Sequence, residues 1–393
     1  MHTSHEVGSS GDSRTSSGLR AVDGAVKPLT ILQMLESDGP GGAETVMLQL
    51  SEELRERGHR IIPVGPTQRA GWLGARFRER GFEPEIYSLS GPIDPGCVRR
   101  LVQLIRAKGA DLVHSHEFTM SVYGAAATAI ARVPHVMTMH GNQKMTAAWR
   151  RRAALRLAIR HGGTTAAVSR STKQQLDEDL GLDPGVIHVA HNGVPLRVGD
   201  PAPVRHEFSL AEDELVLLAV GNLEKRKGHA ILLRALARMV QGGLHRRWRL
   251  LIAGGRGGPE AEGLQAFIHE HDMGSRVHVL TNRADVADLQ SAAQVFVMPS
   301  LWEGLPLAML EAMVAGRAII ASNISGIPEA VTTEVEGLLV PPADEEALSA
   351  ALARVLSDDA LRTSLGRAAA ERGRREFSVG AMADRYEALY RAP

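Results

Sequence analysis

Residues 295–321 read VFVMPSLWEGLPLAMLEAMVAGRAIIA, with two β-type apolar runs on either side of a central segment. That segment carries apolar residues three and four apart, at Leu307, Leu310 and Val314. The spacing predicts a strand, a loop, a helix and a second strand. Pro306 suits the first helical position, where its missing N–H needs no partner. Gly316 suits the left-handed residue that ends a helix.

A helix that follows a strand presents its free amides at the carboxyl end of that strand. The amides of Leu307 and Ala308, together with the positive end of the helix dipole, favour an anion such as a phosphate. Two carboxylates, Glu303 and Glu311, lie in this stretch with seven residues between them. Because a carboxylate repels a phosphate, Glu303 suits the hydroxyl groups of a neighbouring sugar. Glu311 either has a partner in a buried position or lies exposed on the helix.

The E-x7-E pattern in PSLWEGLPLAMLEAMVAGRAII resembles the signature of the family 4 retaining glycosyltransferases. This resemblance implies the GT-B architecture, an α/β fold of two Rossmann-like, doubly wound domains that face a central cleft. It also implies that Glu303 contacts the hydroxyls of the donor sugar and that Glu311 contacts the ribose of the nucleotide. Gly304, Leu305 and Leu307 join the donor-binding residues, because the amides that follow Leu305 face the diphosphate.

The composition is that of a globular protein with no global charge. The 393 residues include 45 Lys plus Arg and 45 Asp plus Glu, so no overall field favours nucleic acid as a partner. A single cysteine, Cys97, excludes an internal disulfide and is consistent with a reducing compartment. The sequence contains neither an apolar run long enough to span a membrane nor the apolar core of a signal peptide. We therefore expect a cytoplasmic protein with a disordered N-terminal tail over residues 1–27.

The rest of the chain alternates strand and helix patterns in two halves. Residues 28–198 form the predicted N-terminal Rossmann-like domain, which the resemblance places on the acceptor side. The proline-rich stretch 197–208 is the predicted linker. Residues 204–375 form the predicted nucleotide-sugar-binding domain. The resemblance also implies that residues 376–393 contain a helix that crosses back to the first domain.

Two glycines follow the first strand of the N-terminal half. Gly41 and Gly42 permit a tight turn and a close backbone approach at a helix N-terminus, which suits a phosphate or a sugar. A plain turn between strand and helix is the alternative. The segment GGAE, Gly41 to Glu44, resembles the N-terminal donor-facing loop of the same family.

Three histidines mark strand ends in this half. His114 and His116 have the spacing of a metal pair on one strand face, but no third ligand is evident, so we predict no metal site. We expect both to be loop histidines at the carboxyl end of the strand, near the acceptor. His140 follows the next strand, and its position matches a family histidine next to the transferred sugar. The alternative is a histidine that only caps the strand.

A basic amphipathic helix follows, with arginines on one stripe and Leu155, Ala158 and Ile159 on another. Such a helix can lie on anionic lipid, and a solvated charged face is the alternative. The arginines assigned to a membrane surface are Arg151, Arg152, Arg156 and Arg160.

A cationic loop, GNLEKRKGH, follows the first strand of the second half. Lys225, Arg226 and Lys227 precede a helix and make a site for a diphosphate. The family has a lysine that corresponds to Lys227 and usually an arginine where this chain has Asn222. Because Asn222 brings no charge, Arg226 or Lys225 is expected to compensate.

The resemblance to this family implies a retaining, metal-independent glycosyltransferase. It would move a hexose-type sugar from a nucleoside diphosphate sugar to a hydroxyl of a lipid-linked or saccharide acceptor, in surface polysaccharide or glycolipid synthesis. His140, Glu303 and Lys227 are the expected catalytic residues, and no cofactor is expected beyond the donor. Two alternatives remain, a nucleotide-sugar epimerase of the same fold and a non-catalytic nucleotide-sugar-binding protein, which Asn222 favours. The base, the sugar and the acceptor depend on loop shapes that no motif encodes.

Overall fold

The computed structural model describes residues 27–391 except 67–70, 92, 142–145, 147, 244–245 and 256. The predicted disordered tail therefore lies outside the described residues, apart from Lys27. None of the described helices is long and apolar enough to cross a membrane.

A seven-stranded sheet forms from the first half of the chain. Its strands are β1 (Thr30–Met34), β2 (Arg60–Gly65), β3 (Glu85–Ile86), β4 (Leu112–His116), β5 (His135–Met139), β6 (Thr164–Ala167) and β7 (Ile187–Val189). They pair in the order β3-β2-β1-β4-β5-β6-β7, and every pairing is parallel. Parallel strands need helical crossovers, which explains the alternation of strand and helix patterns in the sequence.

A six-stranded parallel sheet forms from the second half. Its strands are β8 (Leu215–Val220), β9 (Trp248–Gly254), β10 (Val277–Thr281), β11 (Val295–Met298), β12 (Ala318–Ser322) and β13 (Gly337–Val340), in the order β10-β9-β8-β11-β12-β13. Successive residues of one strand face opposite apolar clusters: Leu217 packs in one and Leu218 in the other. Both faces of the sheet are therefore covered, which accounts for its unbroken apolar strands.

Helices connect the strands. In the first half they are α1 (Gly42–Glu56), α2 (Trp72–Glu79), α3 (Pro95–Lys108), α4 (Glu117–Ala131), α5 (Trp149–His161) and α6 (Arg170–Leu180). The second half has α7 (Ala202–Glu207), α8 (His229–Gln241), α9 (Pro259–Glu270), α10 (Val286–Ala292), α11 (Leu307–Val314), α12 (Ile327–Ala330), α13 (Glu345–Ser357), α14 (Asp359–Glu376) and α15 (Val379–Arg391). The predicted linker thus contains a short helix, α7, whose Val204 is fully buried.

The strand order reverses at one point in each sheet. In the first sheet β1 lies between β2 and β4, and in the second β8 lies between β9 and β11. The connections on the two sides of such a point leave in opposite directions, so a crevice opens beyond the carboxyl ends of the two central strands. The loops after β1, β4, β8 and β11 therefore define the places where ligands bind in this fold.

The stretch 295–321 forms β11, α11 and β12, as its sequence predicts. Gly316 has a φ of 75°, the left-handed conformation expected just after the helix. The expectation for Pro306 is wrong by one position. Pro306 has extended backbone, with ψ at 120°, and the first helical residue is Leu307. A proline there fixes φ before the helix and needs no N–H, so it suits the cap position as well.

The last helix, α15, packs against the first sheet. Tyr390 Oη lies 2.8 Å from Nδ1 of His114 on β4, and Thr138 on β5 donates to Tyr386 Oη at 3.0 Å. Near the chain end, Glu387 pairs with His59 at 3.1 Å. The two histidines and the two tyrosines of this polar network are all buried, so the network fixes the C-terminal helix in one position.

Candidate active site

Two opposite charges meet at the switch point of the second sheet. Lys227, in the loop after β8, donates from Nζ to Oε1 of Glu303, in the loop after β11, at 2.6 Å. Ser300 donates to the same carboxylate oxygen at 2.7 Å. Both side chains are largely buried, with 13% of Lys227 and 7% of Glu303 exposed. The sequence predicts both residues as functional, and the structure brings them into direct contact.

The remaining residues of the cationic loop are more exposed. The Arg226 guanidinium lies 3.8 Å from Oε2 of Glu303 and 2.7 Å from Glu224. Asn222 donates weakly to the same Glu224 at 3.4 Å. Glu224 thus offsets part of the positive charge of the loop. The sequence analysis does not single out Glu224, although a glutamate directly before a lysine and an arginine indicates an ion pair within the loop.

Glu311 lies in the second half of α11 and is half-buried. None of the described side chains forms an ion pair or hydrogen bond with its carboxylate. Burial raises the pKa of Glu311 to about 7. A carboxyl group that is poorly hydrated and has no protein partner is ready to accept hydrogen bonds from a ligand.

The two halves of the protein touch where the loop after β11 meets the end of β5. A side chain on Gly304 would place its Cβ 2.5 Å from the carbonyl oxygen of His140. Only glycine permits this approach. Asn192, after β7, adds a hydrogen bond from Nδ2 to the Leu305 carbonyl at 3.0 Å. His140 is therefore held against Gly304, the residue that follows Glu303 in the chain.

His140 also pairs with the last residue of β4. Its Nε2 lies 3.0 Å from Nδ1 of His116, and the two rings stack with centroids 5.2 Å apart. Burial lowers the pKa of His140 to about 4, and the pKa of His116 is also lowered by burial. Both imidazoles are therefore neutral near pH 7 and can exchange hydrogen bonds but carry no charge.

The expectation of two loop histidines near the acceptor is wrong, because His114 and His116 both belong to β4. His114 is fully buried and contacts Thr138 and Tyr390 at 2.8 Å each. It supports the C-terminal helix instead of facing the cleft. His116 is also fully buried and belongs to β4, although it reaches His140. The described residues contain no group of three His, Cys, Asp or Glu side chains placed to hold a metal ion.

The glycine pair after β1 lies at the start of α1. A Cβ on Gly41 would lie 2.3 Å from the Glu44 carboxylate, whereas one on Gly42 would meet no atom within 4 Å. A side chain at position 41 would therefore displace the flexible end of Glu44, whereas Gly42 faces open space. Leu307 packs against the apolar clusters of both halves, so it joins the two sheets next to the site.

The orientation of the basic helix α5 differs from the one expected of an amphipathic helix that lies on lipid. Its apolar stripe, at Leu155, Ala158 and Ile159, is buried in the first half of the protein. That stripe therefore cannot enter a lipid layer. The outer face is exposed and strongly basic, with Arg150, Arg151, Arg152, Arg156 and Arg160. Trp149 and Leu157 lie on it with 67% and 63% of their surfaces exposed.

Sequence reasoning also missed Glu117, the first residue of α4. It follows β4 at the switch point of the first sheet and has a φ of 64°. Its backbone is thus left-handed, which is uncommon for a residue with a side chain. The motif HSHE contains this residue, but nothing in the letters indicates its conformation.

Two protein-family models match this chain over most of its length. The model for glycosyl transferases group 1 matches residues 203–372. The model for glycosyltransferase family 4 matches residues 40–198.

Curated relatives are similar in sequence to this chain across both halves. A D-inositol 3-phosphate glycosyltransferase of Catenulispora acidiphila is 30% identical over 328 residues, which covers 76% of this chain and 78% of the relative. A D-inositol 3-phosphate glycosyltransferase of Kribbella flavida is 30% identical over 282 residues. In that comparison the chain spans 66% of the length of the relative.

Solved structures show the shared fold. A glycosyltransferase of Rickettsia africae superposes with a TM-score of 0.80 at 20% identity, covering 93% of this chain and 98% of the other. Anabaena Alr3699/HepE in complex with UDP-glucose superposes with a TM-score of 0.77 at 22% identity, covering 92% and 99%.

Proposed function

Because this chain belongs to the glycosyltransferases of group 1 and family 4, with the GT-B fold, we propose that it transfers a hexose-type sugar from a nucleoside diphosphate sugar to an acceptor hydroxyl with retention of configuration. The observation that carries this proposal is the contact of Lys227 with Glu303 at the switch point of the second sheet. Lys227 suits a diphosphate and Glu303 suits sugar hydroxyls. The diphosphate and the sugar are also adjacent in a nucleotide sugar.

The donor fits the charges and free groups of this site. Lys227 and Arg226 bind the diphosphate, assisted by the amides at the start of α11, while Glu303 binds sugar hydroxyls. The Glu311 carboxylate, which has no partner among the described side chains, accepts hydrogen bonds from the ribose. A UDP sugar is the first donor to test, because a structural neighbour is known in complex with UDP-glucose.

The transfer needs no acid and base pair from the protein. The acceptor oxygen bonds to the anomeric carbon on the face that the diphosphate leaves, and the departing phosphate oxygen takes the acceptor proton. Lys227 stabilises the charge that develops on the diphosphate, and His140 positions the transferred sugar. We expect the reaction to proceed without a divalent metal.

The acceptor is a hydroxyl of a saccharide, a polyol or a lipid-linked sugar. Two curated relatives are named for D-inositol 3-phosphate, and the several hydroxyls of that compound support a polyhydroxyl acceptor here. The outer face of α5 supports a site of action at an anionic membrane surface on the cytoplasmic side, in polysaccharide or glycolipid synthesis. Its arginines form no ion pair with a described carboxylate, and Trp149 beside them is the residue type enriched at lipid interfaces.

The decisive experiment measures release of nucleoside diphosphate from UDP, GDP and ADP sugars, with EDTA present and with Lys227→Ala and Glu311→Ala as variants. We expect release from one donor and loss of about two orders of magnitude in each variant. NMR of the glycoside formed should show the donor's anomeric configuration. Glu346→Gln, at an exposed position on α13, is the control for loss of a carboxylate.

Other outcomes would contradict the proposal in defined ways. Tight nucleotide binding without any release would indicate the non-catalytic alternative, which the uncharged Asn222 and the pairing of Arg226 with Glu224 favour. Conversion of the donor sugar into its epimer, with no acceptor consumed, would indicate an epimerase. Activity that EDTA abolishes would contradict metal independence.

A further inference from the structure

The switch point of the first sheet also brings charged groups together. β1 and β4 are parallel neighbours there, and the crevice beyond their carboxyl ends faces the cleft residues described above. Glu36 follows β1, Glu44 lies in the first turn of α1, and Glu117 begins α4. Burial raises the pKa of Glu117 to about 7, and electrostatic repulsion from Glu44 and Glu36 acts on it in the same direction.

Glu117 is the member of this group that is held in place. Its φ of 64° directs the side chain away from the course of an ordinary helix start, and the backbone N–H of His140 donates to its carboxylate. A left-handed residue with a side chain costs folding free energy, and such strain is concentrated at functional sites. In the described part of the chain, no lysine or arginine forms an ion pair with Glu117.

A second unsatisfied group lies beside it. His116, the preceding residue, is fully buried, and its Nε2 has no hydrogen-bond partner among the described residues. A buried ring nitrogen without a partner is costly, and a ligand hydroxyl would satisfy it. Glu117 thus follows directly in the chain after a buried ring nitrogen that has no partner among the described residues.

The position of Glu117 relative to the donor follows from His140. The amide of His140 donates to Glu117, and its carbonyl oxygen lies against Gly304, the residue next to Glu303. One residue therefore separates the Glu117 carboxylate from the loop that we assign to the donor sugar. An acceptor that contacts Glu117 would have its hydroxyls next to the anomeric carbon.

We propose that Glu117 determines acceptor specificity: it accepts a hydrogen bond from an acceptor hydroxyl, and with Glu36 and Glu44 it selects an uncharged polyhydroxyl compound over a phosphorylated one. This inference rests on the proposed transferase function. Glu117 forms no covalent bond. The bond from the acceptor oxygen to the anomeric carbon forms, the bond to the diphosphate breaks, and the proton leaves with the diphosphate. A phosphate beside three carboxylates is repelled, whereas a hydroxyl is not.

The test compares two small probes, glycerol and glycerol 3-phosphate, as acceptors for UDP-glucose or for the donor that the panel identifies. UDP release and glycoside formation are measured for the wild type, Glu117→Gln, Glu117→Asp and the control Glu346→Gln. In the wild type we expect glycerol to be used at least about tenfold more efficiently than its phosphate. Glu117→Gln should lower kcat/KM for glycerol about tenfold and bring the two probes within about twofold, with the nucleotide Kd unchanged.

Two further measurements separate the effect of the negative charge at position 117 from that of its hydrogen bond to the acceptor. Glu117→Asp keeps the negative charge, so it should keep the discrimination against the phosphate while it loses efficiency with glycerol. The preference of the wild type should weaken as pH falls from about 8 to about 6, because Glu117 then takes up a proton. The change should be smaller in the Gln variant, where the protonation of the phosphate probe, with a second pKa of about 6, still contributes. Glu36 and Glu44 are the other carboxylates of this crevice, while burial lowers the pKa values of His116 and His140, so both rings remain neutral over this range.

Three results would overturn the inference. The first is a preference for glycerol 3-phosphate in the wild type. The second is an unchanged preference in Glu117→Gln when thermal unfolding shows that this variant is folded. The third is measurable hydrolysis of the donor that neither probe increases. If the wild type releases nucleotide from no donor at all, the proposed function fails and the inference fails with it.

Discussion

Lys227 Nζ and Glu303 Oε1 lie 2.6 Å apart, although the two residues are 76 positions apart in the chain. Each charge neutralises the other, which lowers the cost of keeping both largely buried. Under the proposed function a nucleotide sugar would break this contact, because its diphosphate would bind Lys227 and its sugar hydroxyls would bind Glu303. We therefore expect the site to exchange one set of charge-assisted hydrogen bonds for another when the donor binds.

This exchange predicts opposite effects on binding and on turnover in Glu303→Gln. Without the competing carboxylate, Lys227 is free for phosphate, so affinity for UDP should rise about threefold to tenfold. Sugar transfer should fall by about two orders of magnitude, because the contact with the sugar is lost. Calorimetric titration with UDP and a release assay measure the two quantities. A weaker UDP affinity in this variant would show that the contact does not compete with the diphosphate.

Glu311 predicts a dependence of stability on pH. Its folded-state pKa of about 7 exceeds the ordinary value of 4.5, so between these values the folded protein holds a proton that the unfolded chain releases. The free energy of unfolding should therefore fall as pH rises through this window. Glu311→Gln removes the penalty and should stabilise the protein by roughly 1 to 3 kcal/mol at about pH 8, with little effect at about pH 4.

Urea unfolding at both pH values tests this prediction, with Glu346→Gln as the exposed control. Equal stabilisation by the glutamine at the two pH values would exclude ionisation as the cause.

Glu329 predicts an energetic link between the two halves of the protein. Its carboxylate accepts hydrogen bonds from the amides of Arg170 and Ser171 at 2.8 and 2.9 Å and pairs with His191 at 2.9 Å. Burial opposes ionisation, but these hydrogen bonds hold the pKa of Glu329 below its usual value. Its contribution to stability is thus present above the unfolded-state pKa and is lost as pH falls through the folded-state pKa.

Glu329→Ala should therefore destabilise the protein by about 1 to 2 kcal/mol at neutral pH. A double-mutant cycle with His191→Ala in urea unfolding should give a coupling of about 0.5 kcal/mol or more. Strictly additive effects would mean that the contact has no energetic weight.

The buried hydroxyl of Tyr390 predicts a measurable cost for its removal. Tyr390→Phe leaves Nδ1 of the fully buried His114 without its partner at 2.8 Å, so it should destabilise the protein by about 1 to 3 kcal/mol. Tyr87→Phe is the matched control, because the Tyr87 hydroxyl is buried and has no hydrogen-bond partner among the described residues. Its effect should be near zero or stabilising. Similar losses in both variants, measured by urea unfolding, would assign the effect to packing.

The outer face of α5 predicts binding to anionic vesicles. Charge reversal at Arg152, Arg156 and Arg160 should abolish flotation with vesicles that contain anionic lipid, since each cation near such a surface contributes about 1 kcal/mol. Reversal at Arg238 and Arg367, which are exposed on α8 and α14, is the control. Binding should also weaken as salt rises. No flotation of the wild type at low salt would remove the membrane surface from the proposal.

Secondary structure could be predicted from the sequence where one physical factor dominates. Apolar periodicity and helix-ending residues gave β11, α11 and β12, with Gly316 left-handed as expected. The position of Pro306 differed by one residue, because a proline satisfies both the cap and the first helical position. The prediction for His114 failed for another reason. The letters HSH show a strand end, but only the packing of α15 decides that this ring is buried.

By itself the sequence determined the strand and helix order, the α/β class and the residue types that suit a nucleotide sugar, because these depend on periodicity and side-chain chemistry. Tertiary structure decided which of these residues meet. The contact of Lys227 with Glu303, the approach of Gly304 to His140, and the raised pKa values of Glu117 and Glu311 all depend on strand order and on loss of water. Solvation and long-range contact are properties of the folded chain, and no local stretch of sequence encodes them.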